Sequence, residues 1–111
     1  MKINKKNALK LWEEQYGNRW FAEDFHGNTM LKDAYGNPDC VQMTRFGLVC
    51  CGWNLHHILP KKWGGTNAKS NLLCTAIPTN AAASDKITFW IEGCLYQVHK
   101  FGKDYEIIRI G

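Results

Sequence analysis

The chain lacks a long apolar run: nowhere does it approach the roughly 20 consecutive apolar residues that a membrane-spanning helix needs. The first six residues are followed by neither an apolar stretch nor a small-residue cleavage site, which argues against a secretory signal. The cysteines number five, an odd count, and none belongs to a Cys-x-x-Cys pair. We therefore expect reduced thiols in a cytoplasmic protein, with no disulfide framework and no membrane partner.

Extremes of composition are absent as well. The chain is 45% hydrophobic and 22% charged, which argues against a disordered chain, a collagen-like chain and a coiled coil. A chain of 111 residues can bury a small core but has no room for a second domain. We expect a single domain over residues 1–111.

Acidic residues are missing from positions 53–70, although the chain as a whole carries a formal charge of only +4. This excess permits a polyanionic partner without requiring one. The segment is a candidate phosphate-facing surface, and a solvated loop with a few lysines is the alternative. Its basic residues are Lys61, Lys62 and Lys69.

Hydrophobic periodicity predicts an N-terminal helix over residues 4–17, which Asn4 caps and Gly17 ends. A hairpin is predicted over 19–35, with its turn at 26–28. The fold class expected from the whole pattern is α+β. The remaining predicted elements are a strand within 41–50 through Phe46, Leu48 and Val49, a strand over 53–59, a polar loop over 61–70, a short apolar run over 71–74, a helix from 78 to 85 or 86 with Thr79 as its N-cap, and a C-terminal antiparallel β-meander over 87–91, 94–99 and 105–110.

Two adjacent histidines, His56 and His57, lie on the strand predicted over 53–59. Neighbouring residues of a regular strand point to opposite faces, so only a bent or bulged strand end could aim both rings at one site. Asn71 follows His57 by 14 positions, and Asn80 follows Asn71 by nine. The order is therefore a His-His strand, a glycine-bearing loop, a short strand that opens with Asn, and a helix with Asn in its first turn.

This order resembles the HNH endonuclease family, and it is most similar to small stand-alone members from bacteria and their mobile elements. The match covers residues 53–86, about a third of the chain, and it has the HNN spelling because Asn80 stands at the last position. The matching residues are Trp53-Asn54-Leu55-His56-His57-Ile58-Leu59-Pro60, Gly64-Gly65-Thr66-Asn67, Ser70-Asn71-Leu72-Leu73-Cys74, Thr79-Asn80 and Asp85-Lys86.

The resemblance implies a ββα-metal (His-Me finger) core and a role for each residue of the motif. His57 would be the general base, and Asn71 would hold the loop and orient that base. His56 and Asn80 would be the protein's ligands for one divalent cation, Mg²⁺ or Mn²⁺. The implied activity is hydrolysis of DNA phosphodiesters in the cytoplasm of a bacterium or of a phage-infected host. A homodimer would make double-strand cuts easy to rationalise. The lysines expected to contact phosphates are Lys61, Lys62, Lys69 and Lys86.

The residue chemistry points the same way without the resemblance. A neutral imidazole, with a pKa near ~6.5, can take a proton from water at pH 7. One imidazole and one amide oxygen form a sparse site that suits Mg²⁺ or Mn²⁺, with phosphate oxygens completing the shell. The carbonyl of Asn71 could accept from the ring of His57 or brace the loop. The plainer alternatives are partly buried histidines, a turn-forming Asn71 and a helix-starting Asn80.

The cysteines are expected to be small buried hydrophobes, and we do not expect a structural zinc. The core must then come from apolar and aromatic side chains. Trp63 could stack on a base or pack over its loop, and packing is favoured. The aromatic core candidates are Trp12, Trp20, Phe21, Trp53, Phe89, Trp90 and Tyr96.

Two other functions fit the same sequence. A nucleic-acid-binding module could keep the HNH shape without turnover, and its DNA binding would not depend on His57. A phage or mobile-element protein could instead bind and inhibit a protein partner, without any need for divalent cations. A toxin is a third possibility within the nuclease class, and no sequence feature supports it.

Overall fold

The computed structural model describes residues 1–45 and 47–111 of the chain. Within them, two α-helices and nine strands form an α+β architecture with four antiparallel sheets, which confirms the predicted fold class. The sheets pair β1 with β2, β3 with β4 and β5 with β6, and join β7, β8 and β9 in the predicted meander. The elements are α1 (Lys5–Tyr16), β1 (Phe21–Glu23), β2 (Thr29–Leu31), β3 (Val41–Thr44), β4 (Gly47–Cys50), β5 (Trp53–His57), β6 (Leu72–Ala76), α2 (Ile77–Ala83), β7 (Thr88–Ile91), β8 (Cys94–Phe101) and β9 (Asp104–Arg109).

The N-terminal helix α1 confirms the prediction over residues 4–17. The side chain of Asn4 accepts a hydrogen bond from the backbone N–H of Asn7 at 2.9 Å, as an N-cap should. Gly17 ends the helix at φ 69°, a conformation that glycine adopts without a Cβ penalty. The buried face of α1 carries Leu11 and Trp12, which places this helix over the β5–β6 hairpin.

The first of two cores lies between α1 and the β5–β6 hairpin, and its centre is aromatic. The rings of Trp12 and Trp53 lie 5.0 Å apart, and Tyr35 lies 5.0 Å from Trp53 on another side. Both tryptophans are fully buried. Burial of a large side chain stabilises the fold by roughly 1.5–3 kcal/mol, so this stack holds the strand that ends in the two histidines.

The second core lies between α2 and the meander. Phe89, Ile91 and Tyr96 are buried there with Ala83 of α2. The ring of Phe25, from the β1–β2 turn, meets Tyr96 edge-on at 5.0 Å. This core fixes the far side of α2, the helix that carries Asn80.

Three aromatic core candidates lie on the surface instead. Trp20, Phe21 and Trp90 are each more than 60% exposed. In β1 and β7 the side chains alternate between faces, and Ala22 and Phe89 take the buried positions beside them. Aromatic content alone could not reveal this alternation. Trp63, which was not a core candidate, is 54% exposed.

Residues 41–50 form two strands where one was predicted. β3 and β4 pair antiparallel, with Met43 opposite Leu48. Gly47 has φ 105°, which lets the chain reverse between the strands. Phe46, through which the single strand was predicted to run, lies outside the described residues.

The second helix differs from its prediction at both ends. It begins at Ile77 with Ala76 as N-cap, because Pro78 in the first turn is already suited to helical φ. Thr79 is therefore inside the helix and is not its N-cap; its buried hydroxyl accepts from the side-chain amide of Asn28 at 2.8 Å. The helix stops at Ala83, since Ser84 has φ 51°.

None of the helices among the described residues has the length and apolar character needed to cross a membrane.

Candidate functional site

Two strands and a helix assemble the candidate site. β5 and β6 pair in register, with His57 opposite Leu72 and His56 opposite Leu73, and α2 follows β6 directly. A pocket of about 350 Å³ opens where β5 ends against α2. The two adjacent histidines both reach this pocket, although the strand is regular. Its lining is Leu55, His56, His57, Pro60, Lys61, Lys62, Asn80, Ser84 and Asp85.

His56 is the buried member of the pair, only 4% exposed. Its Nδ1 lies 2.7 Å from Oδ1 of Asn80. An amide oxygen can only accept, so the proton of the neutral ring is on Nδ1. Burial lowers the pKa of His56, an effect that the hydrogen bond to Asn80 partly offsets. The ring is therefore neutral at pH 7.

His57 is less buried and has a different partner. Its Nε2 lies 2.7 Å from Oδ1 of Asn67, which again can only accept, so Nε2 carries the proton. The two histidines thus hold opposite tautomers. Nδ1 of His57 has no hydrogen-bond partner in the described part of the chain and is not a buried atom. The structure therefore leaves a free imidazole lone pair at the pocket.

Asn71 braces the loop that joins β5 to β6. Its Oδ1 accepts from the backbone N–H of Leu59 at 2.8 Å, and its Nδ2 donates to the carbonyls of Leu59 and Thr66 at 3.0 and 2.9 Å. Its own carbonyl accepts from Ile58 at 2.8 Å. The ring partner of His57 is thus Asn67, and the side chain of Asn71 bonds to the loop and not to the imidazole.

The glycine pair of the motif serves the same loop. A Cβ added at Gly65 would collide with the carbonyl oxygen of Leu59, so only glycine allows the loop to close this tightly. Gly64 has φ 97° and ends the short 3₁₀ turn Lys61–Trp63. The backbone N–H of Gly65 donates to Pro60 at 3.0 Å. This closure brings residues 66 and 67 back beside the end of β5.

The four predicted phosphate contacts separate into two groups. Lys61 and Lys62 line the pocket, and Nζ of Lys62 lies 4.0 Å from a carboxylate oxygen of Asp85. Lys69 lies away from the pocket lining, where it pairs with Glu14 of α1 at 3.0 Å. Lys86 lies beyond the end of α2 and is also not part of the lining.

The donor set of the pocket fits a sparsely held divalent cation. No group of three or more His, Cys, Asp or Glu side chains arranged for a metal occurs among residues 1–45 and 47–111. The separation of 2.7 Å between Nδ1 of His56 and Oδ1 of Asn80 is close to the roughly 3 Å between neighbouring ligands around Mg²⁺ with ~2.1 Å bonds. These two atoms could hold a cation that keeps most of its other positions for water or substrate oxygens.

A ring atom of His56 without a hydrogen-bond partner also bears on whether this pocket can hold a cation. Among the described residues, only Nε2 of His56 and Oγ1 of Thr75 are buried side-chain polar atoms without a hydrogen-bond partner. A cation on Nδ1 would require the ring proton to be on Nε2. That transfer would end the donation from Nδ1 to Asn80, and a cation held by the same two atoms would take the place of this hydrogen bond.

Three residues of this region had no role assigned from the sequence. Asn67 appeared in the motif match, but no spacing rule marks it within a loop of polar residues as the partner of His57. Ser84 lines the pocket at φ 51° and ψ −136°, a backbone conformation strained for a residue other than glycine. Asp85 appeared in the motif match without a role, and its carboxylate lies at the pocket. Only its acidic side chain could have marked it.

Comparisons with protein-family models, with curated proteins and with solved structures gave no match to this chain. The argument for a function therefore depends on the residues and their geometry.

Proposed function

We propose that this protein is an HNH-type endonuclease that hydrolyses phosphodiester bonds of DNA with the help of one divalent cation. In this proposal, residues 53–86 form a ββα-metal core made of β5, β6 and α2. The observation that carries the proposal is the convergence of two histidines of opposite tautomer, an asparagine and two lysines on one pocket.

His57 is the proposed general base. Its accessible Nδ1 lone pair can accept a proton from a water molecule that attacks the phosphorus. Its pocket also holds the ring of His56, which stays neutral because burial lowers its pKa and therefore adds no positive charge beside the base. General bases of this kind typically contribute about 10²- to 10⁴-fold to the rate.

His56 and Asn80 are the proposed holders of the cation, Mg²⁺ or Mn²⁺. When bound, the cation would polarise the phosphate and neutralise charge on the leaving oxygen. The protein contributes two ligands at a fixed separation, and the stack of Trp12 on Trp53 keeps the strand of His56 in place.

Lys61 and Lys62 are the proposed phosphate contacts nearest the reaction. Both are exposed and both line the pocket, so they can meet a backbone phosphate without desolvation of the whole side chain. Lys69 and Lys86 lie outside that lining, so the proposal gives them no contact with the reacting phosphate. Binding should weaken as salt concentration rises, since each contact releases a counterion.

Cleavage of supercoiled plasmid tests the proposal. Wild type, His57→Ala and His99→Ala are each incubated with EDTA, Mg²⁺ or Mn²⁺. His99 is the matched control, because it is an exposed histidine on β8 outside the pocket. We expect metal-dependent nicking by wild type and His99→Ala, and none by His57→Ala. Equal cleavage by wild type and His57→Ala would refute the proposed base.

A second candidate is a protein of the same shape that binds without turnover, either to DNA or to a protein that it inhibits. The β3–β4 hairpin favours a protein partner, because its side chains Val41, Met43 and Leu48 are each at least half exposed. Absence of plasmid cleavage under every metal, together with salt-sensitive DNA binding that His57→Ala leaves unchanged, would select the DNA-binding form. Absence of both cleavage and DNA binding would select the inhibitor.

A further inference from the structure

The contact between Asn67 and His57 has no counterpart in the roles expected from the sequence. Oδ1 of Asn67 lies 2.7 Å from Nε2 of His57, a short hydrogen bond between two partly buried side chains. Because the amide oxygen cannot donate, the bond is satisfied only when the ring proton is on Nε2. Asn67 thus favours the tautomer that leaves Nδ1 unprotonated, and it also holds the plane of the ring.

The position of Asn67 is itself fixed by Asn71. The carbonyl of Thr66, directly before Asn67, accepts from Nδ2 of Asn71 at 2.9 Å. The carbonyl of Ala68, directly after it, accepts from the backbone N–H of Asn71 at 2.9 Å. Two bonds to one buried residue therefore clamp the backbone on both sides of Asn67. The remaining bonds of Asn71 tie the same loop to Leu59, next to the end of β5.

We propose that Asn67 is the residue that positions the general base, and that Asn71 acts on His57 through Asn67. This inference rests on the proposed nuclease function. Asn67 is a positioning residue, since it touches the imidazole and does not line the pocket where the substrate would lie. Asn71 therefore acts on His57 in two steps. It holds the backbone on both sides of Asn67 by hydrogen bonds, and Asn67 accepts a hydrogen bond from the ring of His57.

The test compares Asn67→Ala, which removes the acceptor, with Asn67→Asp, which keeps an acceptor oxygen in nearly the same volume. The first readout is the Nε2–H proton of His57 in NMR spectra of the free protein at neutral pH, assigned with His57→Gln. Hydrogen bonding to Asn67 should protect this proton from exchange with solvent. We expect the protected signal in wild type and Asn67→Asp, and its loss in Asn67→Ala.

The second readout is plasmid nicking, separated into kcat and KM. We expect Asn67→Ala to lower kcat about 10- to 100-fold, the usual cost of losing such a supporting partner, with little change in KM. Asn67→Asp should restore much of kcat. A protected Nε2–H signal that persists in Asn67→Ala would overturn the proposal whatever the cleavage result. An unchanged kcat in Asn67→Ala would overturn it as well.

The two readouts also separate this proposal from the proposed function. If wild type cleaves no DNA, the nuclease proposal fails, and the assignment of His57 as general base fails with it. Loss of the NMR signal in Asn67→Ala would then still support the clamp from Asn71 through Asn67 to His57. A far-ultraviolet circular dichroism spectrum equal to that of wild type shows that each variant is folded.

Discussion

Two hairpins of this chain are built in opposite ways. The β5–β6 hairpin is buried against α1, and its connecting loop is tied by side chains, with three side-chain hydrogen bonds from Asn71 alone. The β3–β4 hairpin leaves Val41, Met43 and Leu48 largely exposed, and its two strands pair with each other. The difference indicates that stability and candidate chemistry are concentrated in the same segment. This contrast leads us to expect effects of different size from four perturbations.

The largest effect is expected at Asn71. Asn71→Ala removes three hydrogen bonds and leaves backbone groups of Leu59 and Thr66 without these partners. We expect the free energy of unfolding to fall by about 2–5 kcal/mol, measured by urea denaturation. Asn18→Ala, at an exposed asparagine after α1, is the control and should change stability by less than ~0.5 kcal/mol. Equal effects at the two positions would contradict the clamp.

A smaller effect is expected from pH through His56. Burial lowers the pKa of His56 in the folded protein, so below its ordinary value of 6.5 the unfolded chain binds more protons. The contribution of this group to stability is therefore complete above pH 6.5 and is lost as the pH falls through the folded pKa. Urea denaturation across this pH range should show less of this decline in His56→Gln than in wild type. A decline of the same size in both would refute this account.

Thiol reactivity compares the two hairpins directly. Burial raises the pKa of Cys74 on β6 to about 12, whereas Cys50 on β4 is partly exposed. Native protein treated with iodoacetamide should be labelled at Cys50 and not at Cys74, since the thiolate is the reactive form. Peptide mass spectrometry measures the labelling, and denatured protein, in which both should react, is the control. Labelling of native Cys74 at the rate of Cys50 would show that the β5–β6 hairpin opens freely.

The smallest effect is expected on the exposed face of β3. Met43 is 75% exposed, so Met43→Thr should change the free energy of unfolding by less than ~0.5 kcal/mol. Met30→Thr is the matched control: Met30 is fully buried, and its loss should cost about 2–5 kcal/mol. Thermal or urea unfolding of both variants measures these changes in the free energy of unfolding. A large loss at Met43 would mean that the hairpin face is covered in the native protein.

The sequence predicted local structure well wherever periodicity or a cap residue carried the signal. Asn4 and Gly17 bound α1 as expected, and the turns at 92–93 and 102–103 separate the strands of the meander. The prediction from sequence was wrong where tertiary packing determines which side chain is buried. Trp90 is outside because Phe89 occupies the inner side of β7, and no local pattern could choose between two adjacent aromatic residues.

The candidate site was also predicted only in part from the sequence. The motif named His56, His57 and Asn80, and the structure brings all three to one pocket. The motif included Asn67 but could not assign it a role, because this loop residue meets the ring of His57 only when the loop closes. Nor could the sequence show that Lys62 lies at the pocket while Lys69 pairs with Glu14, because both lysines belong to the same basic stretch.

The central claim is that one pocket carries out cation-dependent cleavage of DNA with His57 as its base. The most direct measurement is the single-turnover rate of cleavage of an end-labelled DNA duplex in Mg²⁺, for wild type, His57→Ala and His99→Ala. We expect the cleavage rate to fall at least about 100-fold in His57→Ala alone. We expect no cleavage by any of the three proteins in EDTA. Cleavage by His57→Ala at the wild-type rate, or cleavage that persists in EDTA, would contradict it.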